Sequence, residues 1–257
     1  MSSSCFGSTG GQHPLARWVD NGETYGPHVI SRFVSKLNHI DTVVDIGAGT
    51  GRDLAIVQKI HPDARTIAIE AEQSYADSLR SKVEEVHVLD IERSKFPFPE
   101  TSVDLFIANQ ILEHTKEIFY IFDQVTRSLK VGGHFLFGVP NIASLHNRFL
   151  LLFGKHPTQN KMCSAHVRPF SKKDTITFFE SCFPQGYRLV DFAGSQFYPL
   201  PATGSRIMAH MFPTMAFSIF FLIQKQKDYH DEFVAYPANA NLQTNFYSDN
   251  FDVKSQY

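Results

Sequence analysis

Residues 43–51 read VVDIGAGTG, an apolar and β-branched run that passes into three glycines placed at every second position. The apolar part, with Thr42 before it, predicts a buried strand, and residues 52–60 after it predict a helix that His61-Pro62 ends. Glycines at such a turn let backbone N–H groups approach a ligand closely, and the N-terminus of the helix favours a carboxylate or a phosphate. The stretch therefore predicts a strand–loop–helix unit that binds a nucleotide-like cofactor.

The same alternation of short apolar runs and longer amphipathic runs continues along the chain. Residues 118–129 carry apolar side chains with a period of 3.6 residues, which predicts a helix that Gly132-Gly133 closes. The other predicted elements are the strands 66–70, 86–90, 103–109 and 134–139 and the helix 74–83. Alternating strands and helices predict an α/β fold, a Rossmann-like parallel sheet with helices on both faces.

The pattern changes after Pro140. We expect a helix over residues 143–153, a long irregular segment over 154–169, and a helix from Ser171, whose spacing to Asp174 resembles a capping box, to about Phe183. Two more strands are predicted at 187–193 and 217–223. The apolar run 207–223 is interrupted by polar residues and is shorter than a membrane span requires, so we interpret it as a buried strand.

The domain organisation that we predict has three parts. Residues 1–38 form a helical N-terminal or lid segment, in which Trp18 and Tyr25 could cover a cofactor. Residues 39–227 form the cofactor-binding domain, with 141–170 as an insertion that faces the substrate. Residues 228–257 are polar and are expected to lie on the surface or to be disordered.

Composition excludes several classes of protein. The 257 residues include 24 Lys and Arg against 26 Asp and Glu, so the formal charge of −2 argues against a strongly basic nucleic-acid binder. The three cysteines, Cys5, Cys163 and Cys182, form no CxxC pair, which argues against a disulfide framework and a thiolate zinc site. The N-terminus has no signal-peptide pattern, and we expect a cytoplasmic protein without nucleic-acid or membrane partners.

Acidic residues at the ends of successive strands narrow the choice of cofactor. The dinucleotide fingerprint GxGxxG needs a glycine where this chain has Arg52. Glu70 ends the second predicted strand, where a carboxylate can accept hydrogen bonds from two ribose hydroxyls, a feature that fits NAD equally well. Asp90 ends the third strand, where its carboxylate could accept from an adenine amino group. The combination of acids and glycines disfavours an NAD-dependent oxidoreductase.

With these motifs, residues 40–225 resemble the class I S-adenosylmethionine (SAM)-dependent methyltransferases, most closely the small-molecule branch that includes ubiquinone-biosynthesis O-methyltransferases. The resemblance is carried by VVDIGAGTG (43–51), IAIEAE (67–72), VLDIE (88–92), FIANQILEHTKEI (106–118) and LKVGGHFLFGVPN (129–141). It implies a seven-stranded, mostly parallel sheet with one antiparallel strand. It also implies that SAM, and its product S-adenosylhomocysteine, is bound by Asp45, Gly47, Ala48, Gly49, Gly51, Glu70, Ala71, Asp90, Ile91, Asn109 and Gln110.

Three histidines are candidates for a general base at the mouth of the site. His114, His146 and His166 all fall beyond the C-terminal ends of the predicted strands, where α/β proteins bind their ligands. Each histidine also has a non-catalytic interpretation. His114 could belong to a helix-start element, His146 could lie on a helix face, and His166 could be a solvated loop residue. In the resembling family Glu113 fits a structural role better than a catalytic one.

Two arginines are candidates for binding the acceptor, and one position decides whether a metal is expected. Arg148 and Arg168 could bind a carboxylate or phosphate of the acceptor, although surface ion pairs explain them equally well. Some relatives hold a divalent ion with an E-x-x-E-H pattern, whose first acid is Gln110 here, so we expect no metal.

The favoured function is methylation of a small-molecule acceptor by SAM, with oxygen as the acceptor atom. The alternatives are N- or C-methylation, a peptide or carrier-bound substrate, and a methyltransferase-like binding protein without activity. Residues 109–112 read NQIL instead of the Asn/Asp-Pro-Pro-Tyr/Phe motif of base-amino methylation, which argues against a nucleic-acid acceptor. The sequence sets neither the identity of the acceptor nor the oligomeric state.

Overall fold

A computed structural model describes residues 23–242, which contain a single seven-stranded sheet. The strands are β1 (Thr42–Ile46), β2 (Arg65–Glu70), β3 (Glu85–Val88), β4 (Val103–Asn109), β5 (Leu129–Pro140), β6 (Tyr187–Ser195) and β7 (Ser218–Lys225). Their order across the sheet is β3-β2-β1-β4-β5-β7-β6, and β7 alone runs in the opposite direction to the other six strands. The expected seven-stranded, mostly parallel sheet with one antiparallel strand is confirmed.

Helices cover both faces of this sheet. They are α1 (Pro27–Val34), α2 (Arg52–Ile60), α3 (Gln73–Leu79), α4 (Ile118–Ser128), α5 (Leu145–Leu152), α6 (Lys172–Cys182), α7 (Ala202–Met211) and α8 (Glu232–Asn239). Short 3₁₀ turns lie at Glu23–Tyr25, Leu112–His114 and Pro213–Met215.

Strand side chains alternate between two separate cores because successive residues of a strand point to opposite faces of the sheet. Val43 and Leu105 belong to a core that α1, α2 and α3 cover, whereas Val44 and Phe106 belong to a core that α4, α6 and α8 cover. Both faces are buried, which explains why the strand sequences are apolar almost without interruption.

The start of β5 differs from the prediction that Gly132-Gly133 closes a helix. Helix α4 ends at Ser128, and β5 pairs with β4 first at Leu129 and then again from His134 onward. Residues 130–133 bulge out of the ladder between these two pairs, and Gly132, at φ 86°, supplies the left-handed turn that the bulge needs. The glycines therefore shape a bulge within the strand instead of a helix end.

A buried lysine stabilises the same junction. The Lys225 ammonium donates hydrogen bonds to the carbonyls of Thr126 (2.7 Å) and Leu129 (2.8 Å), which lie at the end of α4 and the start of β5. Burial lowers the pKa of this lysine. The hydrogen bonds satisfy carbonyls at the end of the helix that would otherwise be left without partners.

The strand that we expected at 217–223 is confirmed as β7, but the first part of the apolar run 207–223 does not belong to it. Residues 207–211 complete α7, Pro213–Met215 form a 3₁₀ turn, and only the part from Ser218 onward pairs as β7. Pro213 cannot continue the helix, so the chain turns there and enters the sheet. None of the helices in the described part of the chain is long and apolar enough to cross a membrane.

Residues 228–242 also differ from the expected polar surface tail. Helix α8 packs on α4 and α6, and Phe233 is fully buried among Phe122, Phe178 and Phe183. Aromatic side chains that we assigned to a surface segment close one core of the sheet instead. Trp18, with residues 1–22, and the segment 243–257 lie outside the described residues.

We expect Phe233→Ala to lower the free energy of unfolding by about 3–5 kcal/mol, because it removes a large buried ring and leaves a cavity. Urea unfolding measures the change. Leu242→Ala is the matched control in the same segment, where the leucine is exposed and the loss should stay below about 0.5 kcal/mol. Equal losses in the two variants would contradict the packing of α8.

Candidate active site

The glycine loop between β1 and α2 makes a turn that side chains would obstruct. Gly47, Gly49 and Gly51 all have positive φ values, 69°, 53° and 80°. A Cβ atom on Gly47 would lie 2.9 Å from Cγ1 of Ile111, inside van der Waals contact. The loop therefore needs glycine for its backbone conformation and, at Gly47, for its close approach to the segment after β4.

Glu70, at the end of β2, fastens this loop. Its Oε2 accepts a hydrogen bond from the Gly49 N–H (2.9 Å), and its Oε1 accepts one from the Glu72 N–H (3.0 Å). The carboxylate has further lone pairs and is only partly buried, so it can accept ligand hydroxyls in addition. Glu70, the residue that we expect to accept hydrogen bonds from ribose hydroxyls, thus lies directly against the glycine loop that we expect to bind SAM.

Two buried acids support the loop from beneath. Burial raises the pKa of Asp45 well above its usual range, and the negative charge of nearby Asp53 raises it further. Asp53 lies in the first turn of α2 and accepts a hydrogen bond from Arg52 Nε (3.0 Å). Asp45 lies in β1, two residues before Gly47, and its expected role at the cofactor loop stays a prediction.

Asn109, at the end of β4, links the loop to the segment that precedes the sheet. Its Nδ2 donates to Asp53 Oδ2 (2.7 Å) and to the backbone carbonyl of Tyr25 (3.0 Å). The Arg52 guanidinium lies 4.7 Å from the centre of the Tyr25 ring, a cation–π contact. Tyr25 is therefore beside the glycine loop, on the side where we expected a lid.

Polar atoms without partners collect beside Asn109. Among residues 23–242, the buried Oδ1 of Asn109 and the buried Nε2 of Gln110 have no hydrogen-bond partner, and Gln110 has a left-handed backbone with φ 57°. A Cβ on Gly138 of the adjacent strand would lie 2.7 Å from Asn109 Oδ1, so the glycine makes room for the amide. Unsatisfied polar atoms next to a glycine loop are typical of a ligand site.

Contrary to our prediction, Asp90 does not end the third strand. Strand β3 ends at Val88, so Asp90 follows the strand by two residues. Its Oδ1 accepts the Glu92 N–H (2.9 Å), and the side chain is 53% exposed. Ile91, next to it, packs against the apolar core from a partly buried position.

The fold brings two of the three candidate histidines together. The ring centres of His114 and His166 are 4.6 Å apart in an edge-to-face arrangement. Nδ1 of His114 lies 3.3 Å from the carbonyl of Ala165, and burial together with the charge of His114 lowers the pKa of His166. A histidine with a lowered pKa is neutral near pH 7 and can accept a proton.

Glu113 lies beneath this pair and is almost fully buried. Burial raises the pKa of its carboxyl to about 8, so it is largely protonated at neutral pH. Its backbone carbonyl accepts the N–H groups of Val167 (2.9 Å) and Arg168 (3.1 Å), which fixes the loop that carries His166. The expected structural role of Glu113 agrees with these contacts.

The same three side chains meet one condition for a metal site. One ligand atom from each of Glu113, His114 and His166 lies within 4.8 Å of the others. Two imidazoles and a carboxylate suit several divalent transition metals. Our expectation that the protein needs no metal stays a prediction.

The side chains of the other three predicted acceptor-site residues, His146, Arg148 and Arg168, contact partners other than the histidine pair. His146 Nε2 lies 2.9 Å from Thr158 Oγ1, and its ring contacts Tyr198 at 4.5 Å. Arg168 donates to the Lys116 carbonyl (2.7 Å). The structure gives His146 no contact with the histidine pair among the described residues.

Arg148 lies on a cavity of its own. Its Nε donates to the carbonyl of Ala143 (2.8 Å), and it lines a cavity of about 400 Å³ with Lys172 and Lys173. Arg148 lines this cavity and Arg168 contacts the Lys116 carbonyl, and the expectation that either arginine binds a carboxylate or phosphate of the acceptor stays a prediction.

Asp53 is the residue that reasoning from sequence missed. It shares a helix face with Val57 and Ile60, at i, i+4 and i+7, so an acid on the apolar side of α2 was a readable signal. The pairing of His114 with His166 had no such signal, because 51 residues separate them and no sequence pattern relates the two positions.

A family model described as "Methyltransferase domain" matches residues 44–137. A malonyl-[acyl-carrier protein] O-methyltransferase of Coxiella burnetii is 26% identical over 144 residues, 53% of this chain and 49% of that protein. A trans-aconitate 2-methyltransferase of an Azoarcus species is 26% identical over 97 residues, 38% of each chain. The matches span about half or less of the length of these curated relatives.

Among solved structures, a SAM-dependent methyltransferase from Aquifex aeolicus superposes with a TM-score of 0.53 at 14% identity. The superposition covers 82% of this chain and 96% of that chain. At this identity the likeness establishes the fold alone.

Glu113 should make stability depend on pH. Its folded-state pKa of about 8 lies above the ordinary value of 4.5, so the folded protein binds more protons between these two pH values. Stability should therefore fall as the pH rises from about 4.5 to about 8, by about 1.4 kcal/mol per pH unit relative to Glu113→Gln.

Urea unfolding at several pH values measures this difference. Glu72→Gln is the control, because Glu72 is exposed on the surface. A Glu113→Gln variant with the same pH dependence as the original protein would show that the carboxyl ionises normally.

Proposed function

We propose that the protein transfers the methyl group of SAM to an oxygen of a small-molecule acceptor. The premise is that the chain carries a methyltransferase domain with the class I SAM-dependent fold. The observation that carries the proposal is the glycine loop fastened by Glu70 at the C-terminal ends of β1 and β2. Ligands of open α/β sheets bind at this edge, where the strand order reverses between β1 and β4.

The cofactor fits the polarity of the loop. The backbone of residues 47–51 and the N-terminus of α2 would face the methionyl carboxylate of SAM, with Ala48 as a small neighbour. Glu70 would accept the ribose hydroxyls, with Ala71 beside it. Asp90 and Ile91 would meet the adenine, and the unpartnered amide atoms of Asn109 and Gln110 would face the sulfonium side.

Methyl transfer needs little covalent chemistry from the protein. The bond between the sulfonium sulfur and the methyl carbon breaks as the bond between that carbon and the acceptor oxygen forms, and the electron pair of the broken bond stays on sulfur. Alignment of the acceptor with the methyl group supplies much of the rate. The hydroxyl proton must leave, and a neutral histidine can accept it.

The pair of His114 and His166 is the best placed to take this proton. Both side chains lie on segments that follow the C-terminal end of β4 or return to it, and the lowered pKa of His166 leaves that ring unprotonated at neutral pH. When Nδ1–H of His114 donates to the Ala165 carbonyl, the lone pair on its Nε2 is free to accept a proton. His146 is a weaker candidate because its ring is engaged by Thr158 and Tyr198.

Calorimetric titration tests the cofactor. We expect SAM and S-adenosylhomocysteine to bind, and Glu70→Ala to weaken both by at least about tenfold, because the variant loses the ribose acceptor and the Gly49 hydrogen bond. Glu72→Ala, two residues away and exposed, should bind normally, and NADH should not bind. Unchanged affinity in a folded Glu70→Ala variant would remove the basis for the assigned cofactor position.

Turnover with a panel of hydroxyl acceptors tests the histidine pair. We expect His114→Ala or His166→Ala to lower kcat by about 10²–10⁴-fold through loss of the base. In the original protein kcat should fall at low pH, at a lower pH than an ordinary histidine would give, because the pKa of His166 is lowered. His156→Ala, an exposed histidine of the same loop, is the control; if it were as inactive as the other two, the assigned base would be wrong.

A further inference from the structure

The formally charged side chains of the segment 141–173 are all positive. It carries six cationic residues, Arg148, Lys155, Lys161, Arg168, Lys172 and Lys173, and neither aspartate nor glutamate, in a chain whose formal charge is −2. Lys155 and Lys161 are exposed. This part of the molecule therefore presents a positive field against a nearly neutral background.

Exposed apolar side chains lie on the same segment, in an unusual concentration. Leu152 is 76% exposed and Phe153 is 73% exposed at the C-terminal end of α5, and Met162 is 94% exposed in the loop that follows. Phe149 and Leu151, on the last turns of the helix, are each more than half exposed. These five apolar residues, with Lys155 and Lys161, are called the insertion surface below.

Helix α5 does not need these side chains for its attachment to the protein. Asn147 of this helix is fully buried and donates from Nδ2 to the Asn141 carbonyl (3.0 Å) and to Gln159 Oε1 (3.1 Å). Its Oδ1 accepts the Thr158 N–H (3.2 Å), and Ser144 caps the helix. Because a polar network anchors the helix, its apolar side faces outward in a well-defined position.

We propose that the insertion surface binds the surface of a lipid bilayer that contains anionic lipids. Phenylalanine and leucine side chains on a short helix can enter the boundary between headgroups and acyl chains, and nearby lysines then contact anionic headgroups. This is peripheral binding and is compatible with the finding that none of the described helices spans a membrane. It differs from our expectation of no membrane partner, which rested on the absence of a spanning segment from the sequence.

Charge favours a bilayer over a second copy of the chain. In a symmetric dimer the same patch would face itself, so the cations of the two insertion surfaces would repel each other. An anionic bilayer complements both the apolar and the cationic parts of the surface.

Vesicle co-sedimentation of the full chain tests the proposal, with phosphatidylcholine vesicles compared with phosphatidylcholine vesicles that contain phosphatidylglycerol. We expect binding to the anionic vesicles that is weakened by salt. The double variant Leu152→Glu/Phe153→Glu should abolish binding, and Lys155→Gln/Lys161→Gln should weaken it by about tenfold or more. All four positions are exposed, so both variants should keep the thermal stability of the original protein.

Val131→Glu is the matched control, because it also replaces an exposed apolar residue by a glutamate, in the bulge of β5, away from the C-terminal ends of the strands. It should bind anionic vesicles like the original protein. Absence of binding by the original protein, or an equal loss in Val131→Glu, would overturn the proposal. Self-association that Leu152→Glu/Phe153→Glu abolishes, without vesicle binding, would also overturn it and assign the surface to contacts between copies.

Discussion

The hydrogen bond from the Gly49 N–H to the Glu70 carboxylate connects the first two strand–loop–helix units at the edge where the ligand site forms. It requires a loop whose glycines adopt positive φ and a strand β2 that ends level with β1. The parallel register, with Ile46 opposite Ile69, brings the two strand ends to the same level. One contact therefore couples the sheet register to the shape of the cofactor loop.

Burial of acidic groups is the second constraint on the site. Asp45, Asp53 and Glu113 are all almost completely buried, and in Asp45 and Glu113 the low-polarity surroundings raise the pKa. Protonated carboxyls can support neighbouring loops without placing full negative charges beside an anionic carboxylate of a cofactor. The charge that is available at the edge of the site belongs mainly to Glu70 and Asp90, which are more accessible to solvent.

The segment after β5 shows how polar anchoring and apolar exposure can occur in one helix. Buried amide groups hold α5 in place, and the exposed side chains of Phe149, Leu151, Leu152 and Phe153 are not part of the core. Exposed apolar side chains beside cations are typical of surfaces that bind a partner. The same segment reaches back to Glu113, so its position and that of His166 are linked.

The sequence by itself determined the alternation of strands and helices from β1 to β5, the glycine loop and the acid at the end of β2, because hydrophobic period and turn chemistry are local properties of the chain. It did not determine that Gly132 shapes a bulge or that Phe233 closes a core, since both depend on the pairing or packing of distant residues. It also did not determine which candidate residues meet. Only the tertiary structure joins His114 to His166 and buries Glu113 deeply enough to raise its pKa to about 8, because these properties arise from neighbours that lie far apart along the chain.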